Sequence, residues 1–326
     1  MKGKAALAPK VRHSDKSAIC KIDPTKIRIR NGQIQVFAGR ELVGENKLME
    51  IASKPLLRWA GSKAWLAAAA KALIPPSFVG KYYEPFCGAA SLYFALHPHS
   101  AALSDKNEEL ITAYKVIRDD PEGVIALLRS YPHGEGYFYK MRAVTPRSSR
   151  HLAARFIYLN RTCWNGLYRV NSEGIFNTPF GRRENPDIAD APRLRKIADM
   201  LSSVDLSDGD FEDCVTSAQA GDWVYLDPPY ISGHQNNGFL MYNARLFSWK
   251  DQERLAHLAI RLKKKGVHVL VSNSDHQPVV QLYKGFHYYR VSRRSLIAGQ
   301  VENRGVAAEA ILASYPLLGY RTEVIP

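Results

Sequence analysis

Asp227-Pro228-Pro229-Tyr230 joins a carboxylate, two prolines and an aromatic ring at the end of an apolar run, Trp223-Val224-Tyr225-Leu226. The run reads as a short buried strand. Each proline holds φ at about −65° and lacks an N–H, so the corner is stiff and rich in carbonyl acceptors. It suits a flat ligand that carries an NH₂ group. Asp227 and the Pro228 carbonyl can each accept one of its hydrogens, and Tyr230 can stack on its ring. The competing reading is a strand that ends in a proline turn beside an incidental Asp.

A second group precedes it by more than a hundred residues. Tyr83-Glu84-Pro85-Phe86-Cys87-Gly88-Ala89-Ala90-Ser91 lies between an expected strand and its helix. In parallel sheets ligands bind at such turns, outside the carboxyl ends of the strands. Gly88 permits close backbone approach, and the small Ala89 and Ala90 keep the helix start open. Asp105 ends the next expected strand, where an acidic residue suits the two hydroxyls of a ribose. Just upstream, Arg58-Trp59-Ala60-Gly61-Ser62-Lys63 adds an aromatic face and a cation. Trp59 could cover an adenosyl group while Lys63 meets a carboxylate; Trp59 could equally be core. Neither G-x-x-x-x-G-K-[ST] nor a full G-x-G-x-x-G is present, so a nucleoside without phosphates fits better. S-adenosyl-L-methionine is such a ligand, and its sulfonium makes the attached methyl electrophilic without a metal.

The segment from Asn160 to Arg183 is polar, aromatic and basic, with glycines at turn positions. Leu167 to Phe180 reads as a hairpin that turns at Ser172-Glu173-Gly174. Arginine, asparagine, proline and aromatic groups on a protruding hairpin suit the reading of base edges and wedging into a duplex.

These groups need a frame. Lys81-Tyr82-Tyr83-Glu84 reads as a strand, Ala89 to Leu96 as a helix, Ala101 to Asp105 as a strand and Glu108 to Arg118 as a helix. This βαβ unit implies parallel strands and a right-handed crossover. Val204–Leu206, Val224–Leu226, Val267–Ser272, His287–Val291 and Ala310–Ser314 are also strand-like, and a helix is expected over Trp249–Lys265 with a capping box at Ser248 and Asp251. The pattern gives an α/β sheet split by an inserted, mostly helical segment that carries a β-hairpin. Its expected division is a catalytic domain over residues 55–119 and 203–326, and a target-recognition domain over 120–202. Residues 1–54 form a basic N-terminal extension. Within it, Ile27–Arg30 and Gln33–Val36 flank Asn31-Gly32, a hairpin signal; a start at Met49 would leave this extension out.

The formal charge of +14 over 326 residues points to a polyanionic partner. No run approaches the ~20 apolar residues of a membrane span, so no membrane partner is expected. Cys20, Cys87, Cys163 and Cys214 are scattered, with no C-x-x-C and no H-E-x-x-H. A reduced, cytoplasmic setting and chemistry without a metal are expected.

Taken in order, these motifs resemble the Dam-type (D12 class, alpha group) DNA adenine-N6 methyltransferases. The matching pieces are Arg58 to Lys63, Glu84 to Gly88, Asp105, Asn165 to Asn171, Gly174 to Gly181, Gly209-Asp210-Phe211 and Asp227 to Tyr230. The resemblance runs from about Leu56 to Tyr315 and does not reach the extension. The chain departs at Ser62, Ala89 and Trp164, where the family often has Gly, Gly, and Phe or Tyr. The resemblance implies that the α/β sheet is a Rossmann-like methyltransferase sheet with an inserted recognition domain. It implies methyl transfer from S-adenosyl-L-methionine to N6 of a flipped adenine in double-stranded DNA, with GATC the leading site. It implies catalytic roles for Asp227, Pro228 and Tyr230. The implied cofactor contacts are Trp59, Lys63, Glu84, Pro85, Phe86, Gly88, Ser91, Asp105, Asp210, Phe211 and Asp227. Those to DNA are Trp164, Asn165, Leu167, Arg169, Asn171 and Pro179. It also implies a monomer in a bacterial cytoplasm or phage-infected cell, with a cognate restriction endonuclease as a compatible partner beside solitary roles. Four other readings stay open: an RNA adenine methyltransferase, a DNA cytosine-N4 methyltransferase, an inactive DNA-binding relic, and a methyltransferase for another substrate, which would leave +14 unexplained.

Overall fold

Strand-forming runs pair into one mixed sheet in the computed structural model, which describes residues 27–30, 33–36, 55–67, 69–171, 174–184, 186–230, 247–294, 306–317 and 323–325. Its strands are β1 (Ile27–Arg30), β2 (Gln33–Val36), β3 (Tyr82–Glu84), β4 (Ala101–Asp105), β5 (Val204–Asp208), β6 (Trp223–Leu226), β7 (His268–Ser274), β8 (His287–Arg294), β9 (Val306–Ala313) and β10 (Glu323–Val324). The central seven run in the order β8-β9-β7-β6-β3-β4-β5. From β5 to β7 all neighbours are parallel, and β9 enters antiparallel between β7 and β8. This is the α/β methyltransferase sheet expected from the sequence.

The inner parallel strands are buried on both faces, so they read as apolar runs: Trp223–Leu226 is buried throughout, whereas the edge strand β5 is largely exposed. β3 lies between β4 and β6, which places the reversal of strand order at the carboxyl ends of β3 and β6. That is where open α/β sheets form a ligand crevice.

Local chemistry explains the helix limits. The Asn107 side chain caps Glu108–Asp119 by accepting from Leu110 N–H. Ser248 and Asp251 form the expected reciprocal capping box on Trp249–Lys264, and Gly266, at φ +86, ends that helix. The first crossover helix begins at Ser91 rather than Ala89. The left-handed backbone falls on Gly88 (φ 47) and on Ala90 (φ 49), so the turn takes two more residues than the apolar pattern indicates.

Between β4 and β5 stand Glu108–Asp119, Pro121–Ser130, Glu135–Ala143, Ser149–Thr162 and Ala191–Leu201. Their apolar stripes join Tyr82, Tyr93 and Leu103 in one hydrophobic cluster, continuous with one face of the sheet. The opposite face packs on Trp249–Lys264 through Leu255, Leu258, Ala259 and Leu262. The segment Leu167–Phe180 does not form regular strands among its described residues. It closes through two isolated bridges, Cys163 with Phe180 and Val170 with Phe176; Ser172 and Glu173 of the expected turn lie outside the described residues.

The N-terminal pair β1 and β2 is antiparallel, with Ile27 opposite Val36 and Arg30 opposite Gln33, in the register the Asn31-Gly32 signal predicts. β2 continues the sheet by pairing in parallel with β8 at Arg290 and Val291. Asn31, Gly32, Cys20, Met49 and the rest of the extension lie outside the described residues. No helix among those described is long and apolar enough to cross a membrane.

Candidate active site

Asp227 follows the last residue of β6, and the Glu84–Gly88 turn follows the adjacent β3. The sheet therefore sets the two motifs side by side although they are far apart in sequence. Lys63 Nζ contacts both Asp227 oxygens, at 2.8 Å from Oδ1 and 3.0 Å from Oδ2. It also donates to the Gly61 carbonyl at 2.7 Å. Ser272 Oγ donates to Asp227 Oδ1 at 2.7 Å and lies 2.9 Å from the Tyr225 hydroxyl. Burial raises the Asp227 carboxyl above the ordinary carboxylate value, against the opposing pull of the Lys63 charge and the hydrogen bonds from Lys63 and Ser272.

The proline corner is pinned from behind. Gln252 Nε2 donates to the Pro229 carbonyl at 3.3 Å, and Asn273 Nδ2 donates to Gln252 Oε1 at 2.9 Å. Tyr230 donates its hydroxyl proton to Glu309 Oε2 at 2.9 Å, and Lys63 Nζ stands 4.5 Å from its ring centre. Pro228 is buried and Tyr230 half-buried.

The glycine turn is held as tightly. Gly88 N–H donates to Asp105 Oδ2 at 3.0 Å, and Asn107 N–H to Asp105 Oδ1 at 3.0 Å. A Cβ on Gly88 would meet the Trp59 indole at 2.7 Å, so only glycine fits beneath that ring. Ser91 Oγ lies 2.7 Å from Ser62 Oγ, and the Pro85 carbonyl accepts from Ser104 Oγ at 3.4 Å. Phe86 and Phe211 stack with centroids 5.4 Å apart, with Phe247 against both. Glu84 is buried and accepts from the Tyr82 hydroxyl at 2.8 Å; burial pushes its carboxyl up to about 8. Burial raises Asp105 as well, opposed by the N–H groups of Asn107 and Gly88.

The Lys63 ammonium thus stands between Asp227 and Glu309, and the neighbouring turn adds two more buried carboxyl groups, Glu84 and Asp105. Such an acidic set fits a ligand that brings positive charge. S-adenosyl-L-methionine carries a sulfonium and an ammonium, and the Phe86–Phe211 wall offers its adenine an apolar surface, so the residues present fit it.

Other expected site residues are placed differently from one another. Trp59 stacks on Tyr168 of the inserted segment at 5.2 Å and 18°, with Gly88 at its edge. Asp210 caps the short helix Phe211–Cys214 and accepts from Arg254 Nη2 at 3.0 Å. Trp164 (51% exposed), Asn165, Arg169 and Pro179 are exposed. Arg169 Nε donates to Asn177 Oδ1 at 2.9 Å, which sets the direction of its guanidinium. Asn171 Oδ1 accepts from Ile175 N–H at 2.9 Å, and the Leu167 carbonyl accepts from Thr178 Oγ1 at 2.6 Å. These two act on the shape of the hairpin. The Pro179 carbonyl accepts from Trp164 N–H at 2.9 Å.

Ser272, Gln252, Asn273 and Glu309 escaped the sequence reading. Their signal is polarity where a strand should be apolar: Ser272-Asn273-Ser274 ends β7, and Glu309 sits among alanines in β9. Asn160 escaped it too. Wholly buried, it accepts from Arg58 N–H at 3.0 Å and donates to the Arg58 carbonyl at 2.8 Å and the Gly166 carbonyl at 3.3 Å. It ties the segment leading to Lys63 to the base of the hairpin.

Residues 59–297 match the family described as D12 class N6 adenine-specific DNA methyltransferase. The chain is 36% identical over 272 residues to the type II methyltransferase M1.LlaDCHI of Lactococcus lactis subsp. cremoris, covering 80% of this chain and 95% of that protein. It is 34% identical over 267 residues to the type II methyltransferase M.MjaIII of Methanocaldococcus jannaschii, covering 75% and 92%. A DNA adenine methylase of Serratia marcescens is 32% identical over 270 residues, covering 81% and 98%. The chain belongs to the D12 class of N6 adenine-specific DNA methyltransferases.

Proposed function

From that membership we propose that this enzyme transfers a methyl group from S-adenosyl-L-methionine to N6 of an adenine turned out of duplex DNA, within GATC. The observation that carries the reading is the Asp227–Tyr230 corner, pinned at the carboxyl end of β6 beside the glycine turn of β3. The family's adenine-specific action on DNA favours this over the cytosine-N4 and RNA alternatives.

When bound, S-adenosyl-L-methionine supplies an electrophilic methyl on its sulfonium. Trp59, Lys63, Glu84, Pro85, Phe86, Gly88, Ser91, Asp105, Asp210, Phe211 and Asp227 would hold it. A paired adenine N6 lies inside the stack, so the base must leave the helix. Tyr230 then stacks on it. The N6 lone pair is delocalised into the ring. Hydrogen bonds from the amino group to Asp227 and to the Pro228 carbonyl favour a pyramidal nitrogen whose lone pair is localised. Alignment and fixed dipoles supply the rate, since Ser272 holds Asp227 in place beforehand and Gln252 fixes the proline corner through the Pro229 carbonyl. The departing N6 proton passes to Asp227 or directly to water.

Residues 120–202 form the target-recognition part in this reading, and 55–119 with 203–326 the catalytic part. Arg169 reads a guanine edge; Trp164, Asn165, Leu167, Asn171 and Pro179 shape or contact the duplex interface. The protein works as a cytoplasmic monomer, and a restriction endonuclease of the same specificity accompanies it where it serves protection. The test is transfer of labelled methyl to duplexes with and without GATC, followed by separation of the nucleosides. Labelled N6-methyladenine from the GATC duplex alone is expected. Label from both duplexes would discard the site, and no label in DNA would discard the reaction.

A further inference from the structure

Asp227 is crowded in this structure. Lys63 lies within hydrogen-bond distance of both its oxygens, and Ser272 takes a second position on Oδ1. An amino group that is to donate to Asp227 must therefore come in beside the Lys63 ammonium on Oδ2 or displace it. That ammonium is nearly inaccessible, its side chain 4% exposed, so it cannot simply withdraw into water. A second carboxylate stands ready. Glu309 Oε2 lies 4.0 Å from Lys63 Nζ, and the Glu309 side chain is 3% exposed. Glu309 belongs to β9 and lies opposite Ser274, at the same end of β7 as Ser272. The same Glu309 Oε2 accepts the Tyr230 hydroxyl proton at 2.9 Å, and the Lys63 ammonium sits over the Tyr230 ring. Asp227, Lys63, Glu309 and Tyr230 thus form a largely buried set in which both carboxylates face the Lys63 ammonium.

We propose that Glu309 is a positioning residue: it anchors the Tyr230 ring through its hydroxyl and takes over the Lys63 ammonium when the target amino group claims Asp227. A buried charge left unpaired is strongly unfavourable. With Glu309 present, Lys63 exchanges one carboxylate for another a short distance away, and the base gains its acceptor without stranding the lysine. This inference rests on the adenine reading of the same corner.

The test uses the full chain and the charge-only change Glu309→Gln, which keeps an acceptor for Tyr230. Single-turnover transfer should slow by about tenfold or more, with duplex and S-adenosyl-L-methionine dissociation constants within about threefold of wild type, the pattern of an interaction realised only on the way to the transition state. Glu309→Asp should recover part of the rate. The groups acting on Asp227 are Lys63, Ser272, Tyr225, Tyr230, Glu84 and Glu309. Of these Glu309 raises its pKa, so in Glu309→Gln the acidic limb of the rate profile should move to lower pH. A purely structural role would not move it. If wild type methylates adenine while Glu309→Gln keeps both its rate and its acidic limb, the inference is overturned and the function stands. If wild type methylates no adenine, the function itself fails. Should Glu309→Gln not fold, Tyr230→Phe replaces it: an unchanged single-turnover rate overturns the anchor, and a lowered rate with binding retained supports it.

Discussion

Replacing Glu84 with Gln should stabilise the ligand-free protein at alkaline pH and change it little at acidic pH. Glu84 is 3% exposed. Burial pushes its carboxyl from 4.5 up to about 8, and the charges of Asp227 and Asp105 act in the same direction. The hydrogen bond from the Tyr82 hydroxyl opposes this and is outweighed. A carboxyl with a raised folded pKa holds its proton more tightly in the native state than in the unfolded chain. Its contribution is fully present below the unfolded pKa and is lost as pH rises through the folded pKa. The two values differ by about 3.5 pH units, an upper bound of roughly 5 kcal/mol, of which roughly 3 kcal/mol is lost by about pH 7. A Gln side chain keeps an acceptor for Tyr82 and cannot ionise. Urea unfolding followed by tryptophan fluorescence, at fixed ionic strength, should give a variant-minus-wild-type stability that rises by a few kcal/mol between about pH 5 and pH 9. A flat difference across that window would refute the reasoning, because it would mean that Glu84 ionises in the folded protein as easily as in water.

Gly88→Ala should weaken S-adenosyl-L-methionine binding and lower stability by about 1–3 kcal/mol, since its Cβ would meet the Trp59 ring at 2.7 Å and its φ is +47; calorimetric titration and urea unfolding measure both effects. Asn160→Ala removes the partner of the part-buried Arg58 N–H and carbonyl and should cost about 1–3 kcal/mol in urea unfolding. Arg169→Ala should relax sequence preference at one guanine by about 1–3 kcal/mol of discrimination, read by comparing transfer rates on duplexes substituted at single positions; an unchanged preference would remove Arg169 from base reading.

Much of the frame is legible in the sequence because periodicity is local. Ala101–Asp105, the Ser248 capping box and the Ile27–Val36 hairpin each follow from residues adjacent in the chain. The acceptor corner and the glycine turn are legible because they are contiguous motifs. The support around them is not. Ser272, Glu309 and Gln252 come from two strands and a helix, and only the sheet order brings them to Asp227 and the prolines. The Lys63–Asp227 pair escapes for the same reason, being a contact across 164 positions. Apolar spacing also misjudges the helix after the glycine turn, because the left-handed Ala90 delays its start and periodicity carries no information about φ. The segment Leu167–Phe180 reads as a hairpin from its turn residues. Side-chain bonds such as Thr178 to the Leu167 carbonyl hold much of it instead of a regular ladder.

The most direct measurement compares wild type with Asp227→Asn in single-turnover transfer of labelled methyl to one GATC duplex, with binding of duplex and S-adenosyl-L-methionine measured on the same preparations. Asparagine replaces the anionic acceptor with a neutral amide, which removes the charge facing the developing positive N6. The account predicts labelled N6-methyladenine from wild type, a rate lower by about a hundredfold or more in Asp227→Asn, and duplex binding retained. A variant that transfers methyl at nearly the wild-type rate, or label from wild type in any nucleoside other than N6-methyladenine, would contradict it.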